Sequence, residues 1–237
     1  ESLGLAPEWL PDLVTPGSRI GAVCRAAAAH TGLPEDVPII AGMTDGCASQ
    51  LASGTATAGS WNSVLGTTLV LKGKSPSLIH DPGGIVYSHR SPDGEWLPGG
   101  ASSAGAGAFQ RIFAAGTDLD VLSHQAERHR GRPAPVYPLA SARGERFPFI
   151  APDATLSLPQ ASAIDPVDAY RSVSFGLAAV ERLCFDYLGA AGFPIQGSVS
   201  LTGGGARSGF LNGLRATMLN RELIVPEIAE PAIGMAL

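Results

Sequence analysis

The sequence is poor in cysteine, in basic residues and in long apolar segments. Its 237 residues include three widely spaced cysteines, Cys24, Cys47 and Cys184, without a CxxC pair, which argues against a disulfide framework or a structural zinc site. Sixteen Lys and Arg against 21 Asp and Glu give a formal charge of -5, so no basic footprint for nucleic acid or an anionic membrane exists. No stretch approaches the roughly 20 apolar residues of a membrane span, and the N-terminus lacks a signal-peptide pattern. We therefore expect a cytoplasmic protein that binds neither nucleic acid nor membrane.

The overall composition is typical of a folded protein that is rich in turns. Hydrophobic residues make up 45% and charged residues 16% of the chain, which is too apolar for intrinsic disorder. Thirty glycines and 19 prolines lie between apolar runs rather than in a low-complexity block. The length fits one large domain, or one domain with part of another.

Residue patterns predict alternating strands and helices. Apolar, β-branched or alternating runs indicate strands at 37–42 (short and buried), 61–71 (two strands joined by a glycine turn), 85–89, 95–97, 199–201 and 222–226. Helix propensity or helical spacing indicates helices at 21–31, 48–52, 99–115, 119–130, 165–191 and from about Ser208. The stretch 131–163 is expected to be irregular, and the small residues 53–60 are the best candidate for a domain boundary or hinge. This order of elements indicates an α/β fold.

A glycine-rich turn between a predicted strand and a predicted helix is the first candidate binding feature. Gly203, Gly204 and Gly205 expose backbone N–H groups where a phosphate or a nucleotide can bind, although a plain packing turn has the same residues. The pattern differs from GxGxxG because Ser208 replaces the third glycine. With Glu227 as a ribose-binding acid after the next strand, a Rossmann-type oxidoreductase remains an alternative.

Two further features carry possible chemistry. The turn Gly66-Thr67-Thr68 offers hydroxyl and backbone donors for a phosphate, or is an ordinary hairpin turn. Asp45 follows the strand 37–42 among small residues, where a catalytic carboxylate has room for a substrate, or it caps the next helix. The residues alone leave both alternatives open.

Together these segments resemble the FGGY family of carbohydrate kinases, within the actin-like ATPase superfamily. The resemblance rests on four segments in the family's order: Ile39-Ile40-Ala41-Gly42-Met43-Thr44-Asp45-Gly46, Ser63-Val64-Leu65-Gly66-Thr67-Thr68, Gly144-Glu145-Arg146-Phe147-Pro148-Phe149 and Thr202-Gly203-Gly204-Gly205-Ala206-Arg207-Ser208. Segments around Tyr87-Ser88-His89-Arg90 and Gly99-Gly100-Ala101-Ser102 look most like the D-ribulose kinase, or xylulose kinase-like, branch.

The resemblance implies an RNase H-like domain, with a mixed sheet flanked by helices, and transfer of phosphate from ATP with Mg²⁺ to a sugar or polyol hydroxyl. Asp45 would be the catalytic base and, with Thr44, would contact the substrate. Gly66, Thr67 and Thr68 would contact the β- and γ-phosphates. Gly204, Gly205, Ala206 and Ser208 would hold the α-phosphate and nucleoside, and the segment 99–104 would lie near the nucleotide as the start of a helix. No residue is assigned to metal, and Arg207 is left unassigned.

One feature of the family is missing from the sequence. Members begin with a domain that carries an Asp-x-Gly-Thr phosphate loop, which does not occur in these 237 residues. We therefore expect a fragment. The last residues, 234–237, separately indicate the opening of a helix that is cut short. Residues 1–56 would be the tail of the N-terminal sugar-binding domain and 57–237 the C-terminal nucleotide-binding domain. Such a piece would not turn over substrate by itself. A non-catalytic actin-like module that binds nucleotide is a further alternative. A homodimer is compatible with the sequence.

Overall fold

The computed structural model describes residues 4, 6–131, 133–134, 136–141, 143–156 and 164–236. Within it the chain divides into two compact units, Glu1–Asp45 and Gly46–Leu237. Of the segment 131–163, which the sequence predicts to be irregular, the described residues contain only isolated bridges and turns, and positions 157–163 lie outside the described part.

The first unit is built on a two-stranded antiparallel sheet. Strand β1, Arg19–Ala22, pairs with β2, Pro38–Ile40, and helix α1, Arg25–Thr31, connects them. Gly32 ends α1 in the left-handed conformation, with φ 77°, which glycine adopts without steric cost.

Two predictions for this unit are wrong in detail. The helix expected from Gly21 begins only at Arg25, because Arg19–Ala22 pairs with β2 instead. The strand expected to be buried is exposed at all three of its residues, since β1 is its partner in a sheet of only two strands.

The second unit contains a six-stranded mixed sheet. Its strand order is β5-β6-β4-β3-β7-β8, with antiparallel pairing from β5 to β3 and parallel pairing from β3 through β7 to β8. The strands are β3 (Trp61–Leu65), β4 (Leu69–Gly73), β5 (Tyr87–Arg90), β6 (Trp96–Ser102), β7 (Val199–Thr202) and β8 (Leu223–Ile224). The antiparallel half does not fit the mostly parallel sheet of a Rossmann fold.

Six α-helices of the described residues accompany this sheet. They are α2 (Asp45–Ala52), which starts at the last residue of the first unit, α3 (Gly107–Ile112), α4 (Leu119–Arg128), α5 (Pro166–Ala190), α6 (Gly209–Leu219) and α7 (Pro231–Ala236). Asp165 caps α5 by accepting hydrogen bonds from the backbone N–H groups of Val167 and Asp168, and Pro166 occupies its first turn. The predicted long helix is confirmed, although Leu183, expected on its buried face, is 44% exposed.

Alternating residues of β3 show that helices cover both faces of the sheet. Trp61 is fully buried, and its ring meets that of Phe185 on α5 edge to face, with centroids 5.9 Å apart. On the neighbouring strand, Ser200 Oγ donates to the carbonyl of Ser53 just after α2. Because successive side chains of a strand point to opposite faces, and Ser200 is paired with Asn62 rather than Trp61, α5 and α2 lie on opposite sides.

A buried ionic network joins three of these elements. Arg215 on α6 donates to both carboxylate oxygens of Glu181 on α5, at 2.6 and 2.8 Å, and to Ser63 Oγ on β3 at 2.7 Å. Ser63 in turn donates to Glu181 at 2.6 Å. Arg215 and Glu181 are each 1% exposed, so removal of either partner would leave the other charged and buried, at a cost of about 3–5 kcal/mol.

The segment 99–104 is a strand end, not the predicted start of a helix. Gly99 and Gly100 belong to β6, and α3 starts only at Gly107. A Cβ at Gly99 would lie 2.7 Å from the carbonyl oxygen of Leu71, and one at Gly100 would lie 2.8 Å from the ring of Phe147. The small residues therefore serve close packing on a sheet, a tertiary requirement that helical spacing does not reveal.

The loop between β4 and β5 is held by one carboxylate. Asp81 accepts hydrogen bonds from the backbone N–H groups of Gly83, Ile85 and Val86 and, at 2.7 Å, from the hydroxyl of Tyr187 on α5. Burial raises the pKa of Asp81, but these hydrogen bonds outweigh burial, so the pKa lies below its usual value.

We predict that Asp81→Asn destabilises the protein by about 1 kcal/mol at pH 7, or about 2–4 °C in Tm, since hydrogen bonds to a charged group are lost. The folded pKa is depressed, so the wild-type advantage is complete above the usual pKa of about 3.9 and is lost as pH falls through the folded value. Thermal unfolding of both proteins between pH 7 and pH 2 measures this difference. A gap in Tm that stays constant over that range would contradict the assignment.

Candidate functional site

Two glycine turns lie side by side at one edge of the six-stranded sheet. The turn Gly66–Thr68 follows β3, and a 3₁₀ turn, Gly204–Arg207, follows β7. The two strands pair in parallel, from Trp61 opposite Val199 to Val64 opposite Thr202, so their carboxyl ends meet at the same edge. Ligands of open α/β sheets bind at such edges.

The second turn, and Gly203 just before it, pack against Leu65, the last residue of β3 before the first turn. A Cβ at Gly203 would lie 2.7 Å from the carbonyl oxygen of Leu65, and one at Gly205 would lie 2.5 Å from Leu65 Cδ2. Gly203 also has φ 82°, a conformation that side chains rarely adopt. These two glycines are therefore explained by the close approach of the turns and by backbone geometry.

The turns border a common cavity of about 290 Å³. It is lined by Leu65 at the end of β3, by Gly66 and Thr67 from the first turn, and by Gly204, Gly205, Arg207, Ser208 and Leu211 from the second turn and α6. The remaining lining residues come from α3, α4, α5 and their flanks: Ala106, Gly107, Phe109, Gln110, Leu119, Asp120 and Tyr170. The cavity thus has a polar side made of backbone turns and a wall of helices.

In the part of the chain that the structure describes, four backbone N–H groups of the two turns have no protein partner. Among the hydrogen bonds of the described residues, none has the N–H of Thr67, Thr68, Gly204 or Gly205 as donor. Backbone N–H groups are seldom left unpaired without water or a ligand to accept from them. Successive N–H groups presented by turns form anion-binding concavities, so the site is chemically suited to a phosphate.

Two glycines of the site have no packing reason to be glycine. A Cβ at Gly204 would meet no heavy atom within 4 Å, and one at Gly66 would meet only the carbonyl oxygen of Thr68 at 3.9 Å. Neither has a positive φ. A missing side chain at these two positions leaves room for a bound group beside the unpaired N–H groups.

A hydroxyl cluster and a pair of stacked rings lie next to the second turn. Ser208 Oγ accepts from the N–H of Leu211 at 3.1 Å as the cap of α6, and it lies 2.9 Å from both Ser123 Oγ and Tyr170 Oη. The rings of Tyr170 and Phe109 stack with centroids 4.9 Å apart. Each of these groups therefore contacts a partner from another helix.

The structure brings together most of the residues that the sequence suggested for a nucleotide. Gly66, Thr67, Gly204, Gly205 and Ser208 all line the cavity. Among the described residues, Thr68 and Ala206 are not part of its lining, and neither is Glu227, the acid of the Rossmann alternative.

The two residues expected to contact the substrate lie in the first unit. Thr44 is an exposed residue between β2 and α2, and Asp45 is the exposed first residue of α2. A carboxylate in the first turn of a helix is stabilised by the helix dipole.

Sequence reasoning missed the helical wall of the cavity. Phe109, Asp120 and Tyr170 come from three different helices, α3, α4 and α5, and no local motif marks them. Arg207, which was left unassigned, lines the cavity.

No helix in the described part of the chain is both long enough and apolar enough to cross a membrane. The described residues also contain no group of three or more His, Cys, Asp or Glu side chains placed to hold a metal ion.

Comparison with known proteins assigns the family. Residues 56–237 match the FGGY family of carbohydrate kinases, C-terminal domain. The match covers more than half of the chain, and the protein therefore belongs to the FGGY family. Its fold of a mixed sheet flanked by helices is that of the actin-like kinases of this family.

Solved structures agree with this assignment. A kinase from Brucella ovis, described as a xyloylose kinase, has 26% sequence identity and a TM-score of 0.84, with 99% of this chain and 49% of that one covered. Xylulose kinase from Rhodospirillum rubrum has 24% identity and a TM-score of 0.79, with 97% and 48% covered. Glycerol kinase from Plasmodium falciparum with ADP has 14% identity and a TM-score of 0.76, with 94% and 45% covered. The last two comparisons support the fold alone, and this chain spans about half the length of all three proteins.

We predict that alanine destabilises the protein at one of two adjacent glycines and changes its stability little at the other. Gly205→Ala forces a methyl group against Leu65 and should destabilise the protein by about 1–3 kcal/mol. Gly204→Ala meets open space at an ordinary φ and should change stability by no more than about 0.5 kcal/mol. Urea unfolding of both variants tests the contact between the turns; equal stabilities would show that Leu65 yields freely.

Proposed function

We propose that the protein is part of an ATP-dependent kinase that phosphorylates a hydroxyl group of a sugar or polyol. The observation that carries the proposal is the convergence, around one cavity, of the backbone N–H groups of Thr67, Gly204 and Gly205, which come from two turns and have no partner among the described residues. A nucleoside triphosphate is an anion of the right chemistry for such donors, and kinase catalysis consists largely of positioning and charge stabilisation. Membership of the carbohydrate kinase family supports this choice of reaction.

In the proposal the two turns divide the nucleotide between them. Gly66, Thr67 and Thr68 contact the β- and γ-phosphates. The second turn holds the α-phosphate and the nucleoside, through Gly204, Gly205, Ala206 and Ser208. The match to the FGGY family of carbohydrate kinases supports ATP as the nucleotide.

Mg²⁺ completes the proposed ligand by neutralising phosphate charge. This ion is commonly held by substrate phosphates, water and one or two carboxylates rather than by a full cage of protein ligands. We assign no residue of this chain to the ion, and we expect it to arrive with ATP.

Asp45 is proposed as the general base, with Thr44 beside it at the substrate. A sugar hydroxyl is almost fully protonated at neutral pH, so a carboxylate that accepts its proton assists the attack. The hydroxyl oxygen forms a bond to the γ-phosphorus, the bond between that phosphorus and the β,γ-bridging oxygen breaks, and ADP leaves. General base help of this kind contributes about 10² to 10⁴ in rate.

We further propose how the chain divides between domains and what it acts on. Residues 1–56 form the tail of a sugar-binding domain and 57–237 the nucleotide-binding domain. The rest of the sugar pocket belongs to the other half of the kinase, so this chain alone is inactive. A ketopentose such as xylulose or ribulose is the proposed substrate, a choice that the Brucella ovis protein supports.

The nucleotide site is tested by comparing two glycine substitutions in this chain. Gly204→Ala places a methyl group beside the unpaired N–H groups and should weaken ATP binding about 10- to 100-fold, the equivalent of one lost hydrogen bond to a charged group. Gly213→Ala is the matched control, because its Cβ also meets open space but Gly213 is outside the cavity lining. Isothermal titration calorimetry with ATP and Mg²⁺ measures the affinity of each variant and of the wild type. Equal affinities, or no ATP binding by the wild type, would refute the site.

The role of Asp45 is tested in a complete kinase that contains this chain. Asp45→Ala should lower kcat about 10²- to 10⁴-fold while the KM for ATP changes little, because the base acts on the hydroxyl and not on the nucleotide. ADP release is measured with a panel of ketopentoses and polyols. Turnover equal to that of the wild type would remove Asp45 from the mechanism, and ATP binding without turnover on any acceptor would favour a non-catalytic module.

A further inference from the structure

A buried carboxylate lies behind the first glycine turn and plays no part in the mechanism above. Glu145 is 2% exposed and accepts five hydrogen bonds. Its Oε1 receives the backbone N–H groups of Ser103, Arg146 and Phe147, at 2.6, 2.8 and 3.3 Å. Its Oε2 receives the hydroxyls of Ser102 and Tyr137, at 2.8 and 2.7 Å.

These five hydrogen bonds, rather than a salt bridge, compensate for the burial of the Glu145 side chain. Within the described residues, no Lys, Arg or His forms a salt bridge with Glu145. Oε1 accepts three backbone N–H groups, and Oε2 accepts two hydroxyl groups. Burial, followed by the hydrogen bond to Glu145, raises the pKa of Tyr137 well above its usual value, so its hydroxyl remains a donor.

Glu145 fixes the chain where β6 ends. It binds the N–H of Ser103 and the side chain of Ser102, and Ser102 Oγ in turn accepts the N–H of Ala104 at 3.0 Å. Three consecutive residues are therefore tied, directly or through one hydroxyl, to a single carboxylate.

The next residues bind the back of the first glycine turn. Ala106 N donates to the carbonyl of Gly66, and Gly107 N donates to the carbonyl of Thr67, both at 3.0 Å. A Cβ at Gly105 would lie 2.1 Å from the carbonyl oxygen of Thr67, so the two segments are in direct contact.

These two hydrogen bonds also set the direction of the unpaired donors. In a trans peptide the C=O of one residue and the N–H of the next point in opposite directions. Fixing the carbonyl of Gly66 therefore fixes the N–H of Thr67, and fixing the carbonyl of Thr67 fixes the N–H of Thr68. Both N–H groups face away from the segment that holds the carbonyls.

We propose that Glu145 is a positioning residue that holds the Ser103–Gly107 segment against the first glycine turn and thereby aims the N–H groups of Thr67 and Thr68 at the terminal phosphates of the nucleotide. The proposal rests on the proposed function for the identity of the ligand, but the mechanical link between Glu145 and the turn is independent of it.

The mechanical link is tested without ligand, by amide hydrogen exchange measured by NMR. In Glu145→Ala the amides of Ala106 and Gly107 should exchange at least about ten-fold faster, because they lose hydrogen bonds to the turn. The amide of Trp61, which donates to Ser198 across the β3–β7 pair, should be unaffected. Glu145→Gln should largely rescue the protection, because its amide oxygen can still accept the three N–H groups; this variant also serves if the alanine variant does not fold.

The functional consequence is tested by comparing affinities for ATP and for adenosine. Glu145→Ala should weaken ATP binding about 10- to 100-fold, the effect of losing one aligned donor to a charged group, and should leave adenosine binding unchanged. Asp81→Asn is the matched control: Asp81 also holds three backbone N–H groups and a tyrosine hydroxyl, yet it lies outside the cavity lining. It should leave both affinities unchanged.

The outcomes separate this inference from the proposed function. Equal acceleration at all amides, or none at Ala106 and Gly107, would overturn the positioning role, and so would parallel losses of ATP and adenosine binding. A third outcome is faster exchange at Ala106 and Gly107 alone in Glu145→Ala, together with no ATP binding by the wild type. This outcome would refute the nucleotide site and the aiming of donors at phosphates, while the link from Glu145 to the turn would stand.

Discussion

The parallel pairing of β3 with β7 is the constraint on which the rest of the structure depends. Because the two strands run in the same direction in adjacent positions, the turns that follow them emerge at one edge and contact each other through Leu65. A shift in this register would separate the turns and move alternate side chains of β3 to the other face. The cavity, the unpaired N–H groups and the proposed division of a nucleotide between two turns all follow from this pairing.

Buried charged groups hold the surroundings of this pair in place. Glu181 and Arg215 join α5 and α6 to Ser63 on β3. Glu145 binds Ser102 and Ser103 at the end of β6 and so holds the Ser103–Gly107 segment, which contacts the first glycine turn. Such groups are costly to bury and gain little stability over an apolar core, so their value lies in the geometry that they impose. Both sets of contacts act on elements that carry or directly contact a glycine turn, which is where a phosphate site needs accurate backbone placement.

The sequence allowed prediction of those features that depend on local patterns. The strand, glycine turn and strand at 61–71, the strand before Gly203 and the long helix α5 are confirmed, because glycine and alternating apolar residues mark them directly. The glycines at 99 and 100 were misread, since the reason for them is contact with Leu71 and Phe147 far along the chain. Tyr170 and Phe109 of the cavity wall, and the partners of Glu145, are brought together only by tertiary packing, which no local spacing encodes.

The most direct test of the central claim is a crystal structure of this chain with a non-hydrolysable ATP analogue and Mg²⁺. The account predicts that one nucleotide spans both turns, with phosphate oxygens within hydrogen-bond distance of the N–H of Thr67 and of Gly204 or Gly205 in the same molecule. A nucleotide bound at only one turn, or bound elsewhere while the N–H groups of both turns contact water, would contradict it.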